Sequence, residues 1–247
     1  MARHPLHRGP APQDEQLFSD GQLPALRAAA GDLCWLLDRD YALRSAVELV
    51  GNHFSLTARQ RMAVARCVCS GDEARRRRQR CVPPEALAGE ELWLDGYNVL
   101  TILESALAGG IVLLGRDGCC RDIAGIHRRY RKVHETVPAL KLIGQFAAAH
   151  GVSRCRWWLD KPIANSGRLK LLIGHLAQEA GWKMDVELTF SPDQVLSRTE
   201  HIIATSDGIV LDRCQRWVNL TRLIIAQKIP QARLLDLLSG VKAAPES

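Results

Sequence analysis

The sequence has no apolar run near the roughly 20 residues that a membrane-spanning helix requires, so we expect no transmembrane segment. Residues 1–20 are polar and contain proline, and they lack the apolar stretch of a secretory signal. We therefore expect a cytoplasmic protein whose eight cysteines are reduced thiols, without a disulfide within the chain or to a partner.

Motifs of several common protein classes are missing as well. No Gly-x-Gly-x-x-Gly follows an apolar run and no Gly-x₄-Gly-Lys-Ser/Thr occurs, which argues against dinucleotide-binding dehydrogenases and P-loop NTPases. Cys67-x-Cys69 and Cys119-Cys120 are too closely spaced for the usual structural zinc site, so we interpret these cysteines as small buried side chains.

The overall composition is typical of a globular protein. Of 247 residues, 47% are hydrophobic and 24% are charged, and this length suffices for one large domain or two of modest size. The formal net charge of +6 suits an anionic partner such as nucleic acid, although many basic proteins bind none.

The hydrophobic pattern divides the chain into three parts. We expect a flexible tail over residues 1–20, a small all-helical module over residues 21–82 and an α/β domain over residues 88–247. Within the module, apolar residues recur at helical spacing, and Thr57 precedes one of the helical stretches as an N-cap would.

A change in composition after Ser70 marks the boundary between the module and the α/β domain. Gly71-Asp72 is expected to break the helical pattern, and Pro83-Pro84 ends any helix. Between these pairs, residues 75–78 are four arginines. They form either a solvated helix face or linker, or a surface that contacts phosphate.

In the C-terminal part, short apolar runs alternate with helical patterns. This alternation predicts a mainly parallel sheet with helices on both faces, and the adjacent Trp157 and Trp158 should point to opposite faces of one strand. The predicted strands cover residues 92–94, 111–114, 155–159, 186–190 and 202–205. The predicted helices cover residues 99–108, 123–150 with a break at Pro138, 168–180 and 213–227.

Three predicted strands are followed by an aspartate: Asp95, Asp160 and Asp207. Because the carboxyl ends of parallel strands share one edge of a sheet, we expect the three carboxylates to converge in one cleft. Crowded carboxylates need a compensating cation, and Mg²⁺ and Mn²⁺ prefer oxygen ligands. Each aspartate alone would more often be a cap or turn residue, but the three together predict a metal site for phosphoryl transfer or hydrolysis.

Other polar residues near these strand ends are candidates for the same site. Asn98 is expected either to orient a metal-bound water or a phosphate, or simply to cap a helix. Asp212 is a candidate fourth metal ligand, with a helix cap as the alternative. Asp117 is a further candidate ligand, with an ion pair on a loop as the alternative.

Two groups of residues are candidates for binding a nucleic-acid backbone. Near the strand ends, arginines and a helix N-terminus could contact phosphate, with ion pairs and a plain cap as the alternatives. These residues are Arg116, Arg121, Asn165, Ser166 and Arg168. A basic stretch around Tyr130 suits single-stranded nucleic acid, with a solvated helix face as the alternative. Its arginines are Arg128, Arg129 and Arg131.

Asp95-Gly96-Tyr97-Asn98-Val99-Leu100, closing a short apolar strand, resembles the opening motif of the NYN branch of PIN-like ribonucleases. Ala204-Thr205-Ser206-Asp207-Gly208 resembles the late Thr-Ser-Asp motif of the same superfamily, and Asp160 matches an acidic position on its middle strand. With segments 115–118 and 165–168 added, the pattern also resembles an uncharacterised prokaryotic family in which a helical module precedes a PIN-like domain.

The resemblance covers residues 90–227 and implies a PIN-like three-layer α/β/α sandwich with a mainly parallel sheet. It implies hydrolysis of phosphodiester bonds, most often in RNA, with Mg²⁺ or Mn²⁺ as cofactor. By this resemblance Asp95, Asp160 and Asp207 are metal ligands, and Asn98 is a supporting polar residue.

One departure from the family pattern leaves an alternative open. Many PIN-like nucleases carry another acid on a helix between these motifs, whereas residues 168–180 offer only Glu179 at the far end. Asp117, Asp122 or Asp212 would have to replace it. Without a replacement, the alternative is an inactive RNA-binding or scaffold protein on the same fold. The helical module could bind RNA, form a dimer or cover the cleft.

Overall fold

The computed structural model describes residues 7–123 and 130–239. The N-terminal part is helical, as predicted, and Thr57 is confirmed as an N-cap. Its hydroxyl accepts a hydrogen bond from the Gln60 amide at 3.3 Å, and the Gln60 side chain accepts one from the Thr57 amide at 3.0 Å. The helices are α1 (Asp14–Leu17), α2 (Leu23–Leu37), α3 (Leu43–His53), α4 (Ala58–Cys67) and α5 (Gly71–Arg80).

Helix α5 corrects the expectation that Gly71-Asp72 breaks the helical pattern. Ser70 and Glu73 form a second capping box, in which the Ser70 hydroxyl accepts from the Glu73 amide and the Glu73 carboxylate accepts from the Ser70 amide. This capping box starts a helix after Ser70, although Gly71 by itself favours the end of a helix. The four arginines therefore lie on a helix, and Arg77 points inward, with 5% of its surface exposed.

The segment expected to be a flexible tail is packed against the rest of the protein from residue 7 onward. Arg59 Nη2 donates to the buried carboxylate of Asp14 at 2.8 Å, and Phe18 lies in the core formed by α2, α3 and α4. Arg8 Nε lies 2.6 Å from the buried Glu104 carboxylate. Buried ion pairs of this kind fix a segment that composition alone indicates to be loose.

The C-terminal part alternates strands and helices after a 3₁₀ turn over Pro84–Leu87. Its strands are β1 (Glu91–Asp95), β2 (Ile111–Leu114), β3 (Cys120–Asp122), β4 (Arg154–Asp160), β5 (Met184–Thr189), β6 (Ile202–Ala204) and β7 (Arg233–Asp236). Its helices are α6 (Gly96–Leu107), α7 (Thr136–Ala149), α8 (Ser166–Ala180), α9 (Pro192–Leu196), α10 (Gly208–Leu211) and α11 (Leu220–Lys228).

The main sheet has four strands in the order β5-β4-β1-β6, and every neighbouring pair is parallel. One face packs on α6, α7, α8 and α11, and the other packs on α9, α10 and the segment around Trp217. Trp157 belongs to the first of these cores and Trp158 packs against the second, which confirms their opposite orientation. The α/β class with a parallel sheet is therefore confirmed.

Strand β2 was expected in the same sheet as the other predicted strands, but it lies in a second sheet of order β3-β2-β7. Ile111 and Leu113 of β2 pack in one core with residues of α2, α3 and α4. The helical module therefore has a hydrophobic core in common with the α/β part. The strands β3 and β7 were not predicted, because each is short and carries charged residues.

Two helices begin later than predicted. Helix α7 starts at Thr136, so Pro138 is its third residue, where the missing N–H costs no internal hydrogen bond. Residues 124–129 of the longer predicted helix lie outside the described residues. Before α11, the Trp217 amide donates to the Arg80 carbonyl and the Val218 amide donates to the Ile203 carbonyl, so this segment is extended rather than helical.

Over the described residues, no helix combines the length and apolar character needed to cross a bilayer.

Candidate functional site

Each strand of the main sheet is followed by one aspartate at its carboxyl end. Asp95 and Asp160 are the last residues of β1 and β4, Asp207 follows β6, and Asp193 lies in the short helix α9 that follows β5. The four carboxylates line one groove together with Asn98 and Ser206. The sheet therefore brings together the three aspartates predicted from the sequence and adds a fourth.

Burial and mutual repulsion raise the pKa of three of these aspartates. For Asp95, burial first and then the charges of Asp207, Asp193 and Asp160 together raise the pKa to about 7, against the lowering effect of the Thr205 hydroxyl. Burial and the charge of Asp193 raise the pKa of Asp160, and burial and the charge of Asp207 raise the pKa of Asp193. Raised pKa values of this origin mark carboxylates that lack a neighbouring cation.

The Thr205-Ser206-Asp207 segment is held by hydrogen bonds to the end of β1 and the start of α6. Thr205 Oγ1 donates to Asp95 Oδ2 at 2.7 Å, and the Ser206 amide donates to Asn98 Oδ1 at 2.7 Å. Asp207 Oδ1 caps α10 by accepting from the amides of Ile209 at 2.8 Å and Val210 at 3.2 Å. The two motifs that are far apart in the sequence are thereby joined.

Gly96 allows the close approach of β1 and β4 just after Asp95. A Cβ atom at this position would lie 2.4 Å from Leu159 Cδ2 and 3.0 Å from the Trp158 carbonyl oxygen. Glycine is needed here to make room for the neighbouring strand, because any side chain would push Asp95 away from Asp160.

Ser206 brings a hydroxyl that has no partner among the described residues. Ser206 is 2% exposed and lines the groove, and its Oγ is buried without a hydrogen bond. Buried hydroxyls normally have a partner. The groove thus adjoins a buried polar atom that has no partner among the described residues.

Asp117, Asp122 and Asp212 were candidates for the additional acid, but the structure pairs each of them with arginine. Asp117 accepts from Arg77 Nη1 at 2.8 Å and from Arg121 Nη2 at 2.6 Å. Burial opposes the ionisation of Asp117, yet the two guanidinium groups hold its pKa well below the usual range. Such a carboxylate is already neutralised, so we withdraw Asp117 as a metal ligand.

The other two acids are engaged in the same way. Arg77 Nε and Nη2 bind both oxygens of Asp212 at 2.7 and 2.8 Å. Arg66 Nη1 lies 3.1 Å from Asp122 Oδ1. Asp212 lines the groove, but its bidentate pair with Arg77 makes it part of the support of the site rather than a candidate ligand.

Two of the arginines predicted to clamp phosphate are instead bound to protein groups. Arg116 binds both oxygens of Asp38 at 2.6 and 2.9 Å. Arg121 binds Asp117, and its Nε donates to the Ser206 carbonyl at 2.9 Å. A guanidinium with its donors filled in this way is not free to clamp phosphate, so both predictions are corrected.

The segment before α8 also forms internal contacts. Asn165 has a positive φ of 76°, and its side-chain amide donates to the Tyr130 carbonyl at 2.9 Å. The Ser166 hydroxyl donates to the Asp160 carbonyl at 2.7 Å, so it stabilises the turn behind Asp160 instead of facing an anion. Arg168 and Arg131 are exposed, but neither lines the groove of the aspartates. Arg128 and Arg129 lie outside the described residues.

Sequence reasoning missed two residues that are central to this region. Asp193 follows the predicted strand 186–190 in the order Ser191-Pro192-Asp193, which is a helix start after a strand and could have been added to the same edge. Arg77 could not have been found in this way, since its partners lie 40 and 135 residues further along the chain.

A different group has the most closely spaced potential ligand atoms. Over residues 7–123 and 130–239, the atoms of His7, His134 and Glu135 all lie within 4.8 Å of one another. The four aspartates are spaced more widely than this. His7 and His134 are mostly exposed, and Glu135 already accepts from His7 at 2.6 Å. This group lies outside the groove.

The fold and the groove define an α/β protein with clustered aspartates at the carboxyl edge of a parallel sheet. The chain belongs to the family described as "Domain of unknown function (DUF5616)", whose model matches residues 84–223. A second model, "Protein of unknown function (DUF434)", matches residues 25–80. The uncharacterized protein MJ0935 of Methanocaldococcus jannaschii is 24% identical over 187 residues, which is 76% of this chain and 89% of that protein. No solved structure matches this chain.

Proposed function

We propose that the groove hydrolyses phosphodiester bonds in RNA with the help of Mg²⁺ or Mn²⁺, and that the α/β part has a PIN-like fold. The observation that supports this proposal is that each of the four parallel strands either ends in an aspartate or is followed by one within four residues, at the same edge of the sheet. A structural role explains one such aspartate as a cap, but it does not explain four that repel one another.

The chemistry of the groove fits a hard divalent cation. Asp95, Asp160, Asp193 and Asp207 would hold the metal, because carboxylate oxygens are the ligands that Mg²⁺ and Mn²⁺ prefer. The raised pKa values of Asp95, Asp160 and Asp193 fit this role, since a bound cation would favour the charged carboxylates against the burial and the repulsion that raise these values. When bound, such a cation lowers the pKa of a water molecule and offsets charge on the leaving oxygen.

The protein itself positions these carboxylates. Thr205 fixes the Oδ2 atom of Asp95, and the amides of α10 fix the Oδ1 atom of Asp207, so each carboxylate has one oxygen directed by the protein. Asn98 holds the Ser206 amide between them, which is a positioning role rather than contact with substrate.

The size of the groove favours a polymer over a metabolite. Its volume is about 1860 Å³, well above the roughly 300–1,000 Å³ of small-molecule pockets. The positive net charge of +6 favours an anionic polymer.

The test is cleavage of a labelled single-stranded RNA in Mg²⁺, in Mn²⁺ and in EDTA, with Asp95→Asn and Asp193→Asn beside the wild type. Each substitution should slow metal-dependent cleavage by at least about 100-fold, the scale of losing a major electrostatic stabiliser. Asp185→Asn is the matched control, because Asp185 lies near the opposite, amino end of β5 in an exposed pair with Arg154. It should cut like the wild type.

The other outcomes decide against the proposal in distinct ways. Cleavage at the wild-type rate by Asp95→Asn would remove the active site from this groove. RNA binding without cleavage in any metal would replace the nuclease by a catalytically inactive RNA-binding protein.

A further inference from the structure

We propose that helix α5 and Tyr41 of the helical module form the binding surface for single-stranded RNA beside the aspartates. This inference rests on the proposed function and identifies the part of the chain that holds the substrate. It develops one of the two alternatives stated for residues 75–78, contact with phosphate, whereas the other phosphate-binding candidates from the sequence lie in the C-terminal part.

Helix α5 presents two different faces. Arg77 is buried and binds Asp117 and Asp212, and the Trp217 indole donates to the Arg77 carbonyl at 2.7 Å. The other three arginines of the run, Arg75, Arg76 and Arg78, are exposed and line the groove of the aspartates. The buried contacts of Arg77 therefore fix α5 with its basic face along the groove.

The exposed arginines have few fixed partners. The Arg76 side chain has no ion pair or hydrogen bond to any described residue, and the Arg78 side chain donates only to the Arg116 carbonyl at 3.1 Å. Arg75 pairs with Asp72, but both side chains are more than half exposed, and such surface pairs contribute little. A phosphate group can therefore bind these guanidinium groups without breaking a buried contact.

Most acids of the same wall are engaged elsewhere. Asp38 binds Arg116, and Glu73 caps α5 through the Ser70 amide at 2.7 Å. Asp40 has no partner among the described residues, and Asp72 has only the exposed pair with Arg75. The three exposed arginines outnumber these two acids, so the wall favours an anion.

An exposed aromatic ring completes the surface. Tyr41 lines the groove in the connection between α2 and α3, and it is 55% exposed. Basic side chains that contact the backbone, together with a ring on which a base stacks, are the usual means of binding single strands. A duplex cannot offer its bases for stacking, so the surface selects a single strand.

The test measures binding of a fluorescein-labelled, 20-nucleotide single-stranded RNA by anisotropy in Mg²⁺, on the Asp95→Asn background so that the RNA stays intact. The variant Arg75→Ala/Arg76→Ala/Arg78→Ala should bind about 100-fold more weakly at 0.1 M salt. Its plot of log K against log salt should be shallower by about 2, since each lost contact to a single strand removes about 0.7. Alanine preserves the helix.

The charge-matched control is Arg44→Ala/Lys141→Ala/Lys228→Ala, which removes three exposed cations that do not line the groove. Its salt dependence should match that of the parent. A further pair separates stacking from charge: Tyr41→Ala should weaken binding about tenfold, whereas Tyr41→Phe should not. In the cleaving protein, the arginine variant should raise KM and leave kcat within about threefold.

The failures are distinguishable. Equal loss in both triple variants, or no loss in the arginine variant, overturns this proposal and leaves the nuclease intact. Binding of double-stranded RNA with the same affinity and the same dependence on Tyr41 overturns the assignment of a single strand. A wild-type protein that neither binds nor cuts RNA overturns the proposed function together with the proposed binding surface.

Should the triple variant not fold, Arg76→Glu alone should still weaken binding, because the Arg76 side chain has no partner to lose.

Discussion

Asp95 and Asp117 are both acidic residues beside the same groove, yet their surroundings drive their pKa values in opposite directions. Asp95 lies near three other carboxylates, and burial and repulsion raise its pKa to about 7. Asp117 is 3% exposed between Arg77 and Arg121, which hold its pKa well below the usual range in spite of that burial. The difference teaches that the counter-ion of a buried acid decides its role. An acid with its own arginine stabilises the fold, and an acid without one is available to a ligand.

The paired acids also support the unpaired ones. Arg77 of the helical module binds Asp117, Asp117 binds Arg121, and Arg121 Nε donates to the Ser206 carbonyl. The chain of contacts thus runs from α5 to the segment that carries Asp207. It follows that the helical module stabilises the geometry of the aspartate site, so the two family models describe parts of one cooperating unit.

The largest expected effect is that of breaking the paired cluster. Asp117→Asn removes the charge that neutralises Arg77 and Arg121 in a buried position, so the free energy of unfolding should fall by about 3–5 kcal/mol. In a chain of this size that corresponds to a drop of about 6–20 °C in Tm. Thermal and urea unfolding measure it.

The exposed acid Asp185 provides the comparison. Asp185→Asn breaks an ion pair to Arg154 in which both side chains are 40% exposed, and it should change the stability by less than about 1 kcal/mol. Equal destabilisation by the two substitutions would show that the Asp117 cluster contributes no more than a surface ion pair.

The sequence was sufficient to predict where the unpaired acids lie, but not how the paired ones are neutralised. Asp95, Asp160 and Asp207 could be placed at one edge because each lies within three residues of the end of an apolar run. The carboxyl ends of parallel strands share one edge of the sheet, so strand direction alone gives this placement. Asp193 was missed because it lies four positions beyond the end of β5.

The roles of the arginines depended on tertiary contacts and could not be predicted. Arg116 is a cationic residue on a loop near the strand ends, as a phosphate-binding arginine would be. It instead binds Asp38, which lies 78 residues earlier in the sequence. Arg77 and its exposed neighbours form one uninterrupted run in the sequence, and only the packing of α5 against Trp217 decides which of them is buried. Local patterns specify helices and strands, whereas ion pairs between distant segments require the assembled fold.

The second prediction uses pH to separate the two kinds of acid. In the metal-free protein, Asp95 keeps its proton up to a pH of about 7, whereas in the unfolded chain it loses that proton near pH 4. The folded state therefore binds more protons between these values, and the contribution of Asp95 to stability falls as pH rises from about 4 to about 7. Asp117 has the opposite sign, because its depressed pKa contributes stability that is lost only in acid.

Asp95→Asn should consequently raise the Tm of the protein in EDTA at pH 8 by at least 2–4 °C, about the shift that 1 kcal/mol produces in a chain of this size. At pH 4.5, where the Asp95 carboxyl is protonated, the two proteins should melt alike. Mn²⁺ should stabilise the wild type at pH 8 and have little effect on the variant. A variant that is less stable than the wild type at pH 8 would contradict the repulsion among Asp95, Asp160, Asp193 and Asp207.

The smallest expected effect concerns Asp207, which belongs to both kinds of acid because it caps α10 and faces the groove. Asn and Asp cap helices about equally well, so at pH 4.5, where the Asp95 carboxyl is protonated, Asp207→Asn should leave the stability almost unchanged, while Asp207→Ala should lose about 1 kcal/mol. Both variants should lose metal-dependent cleavage, since neither keeps the charge. Thermal unfolding and cleavage assays on the same preparations measure the two effects side by side. Cleavage retained by Asp207→Asn but lost by Asp207→Ala would mean that the cap, and not the carboxylate charge, is what the groove requires from this residue.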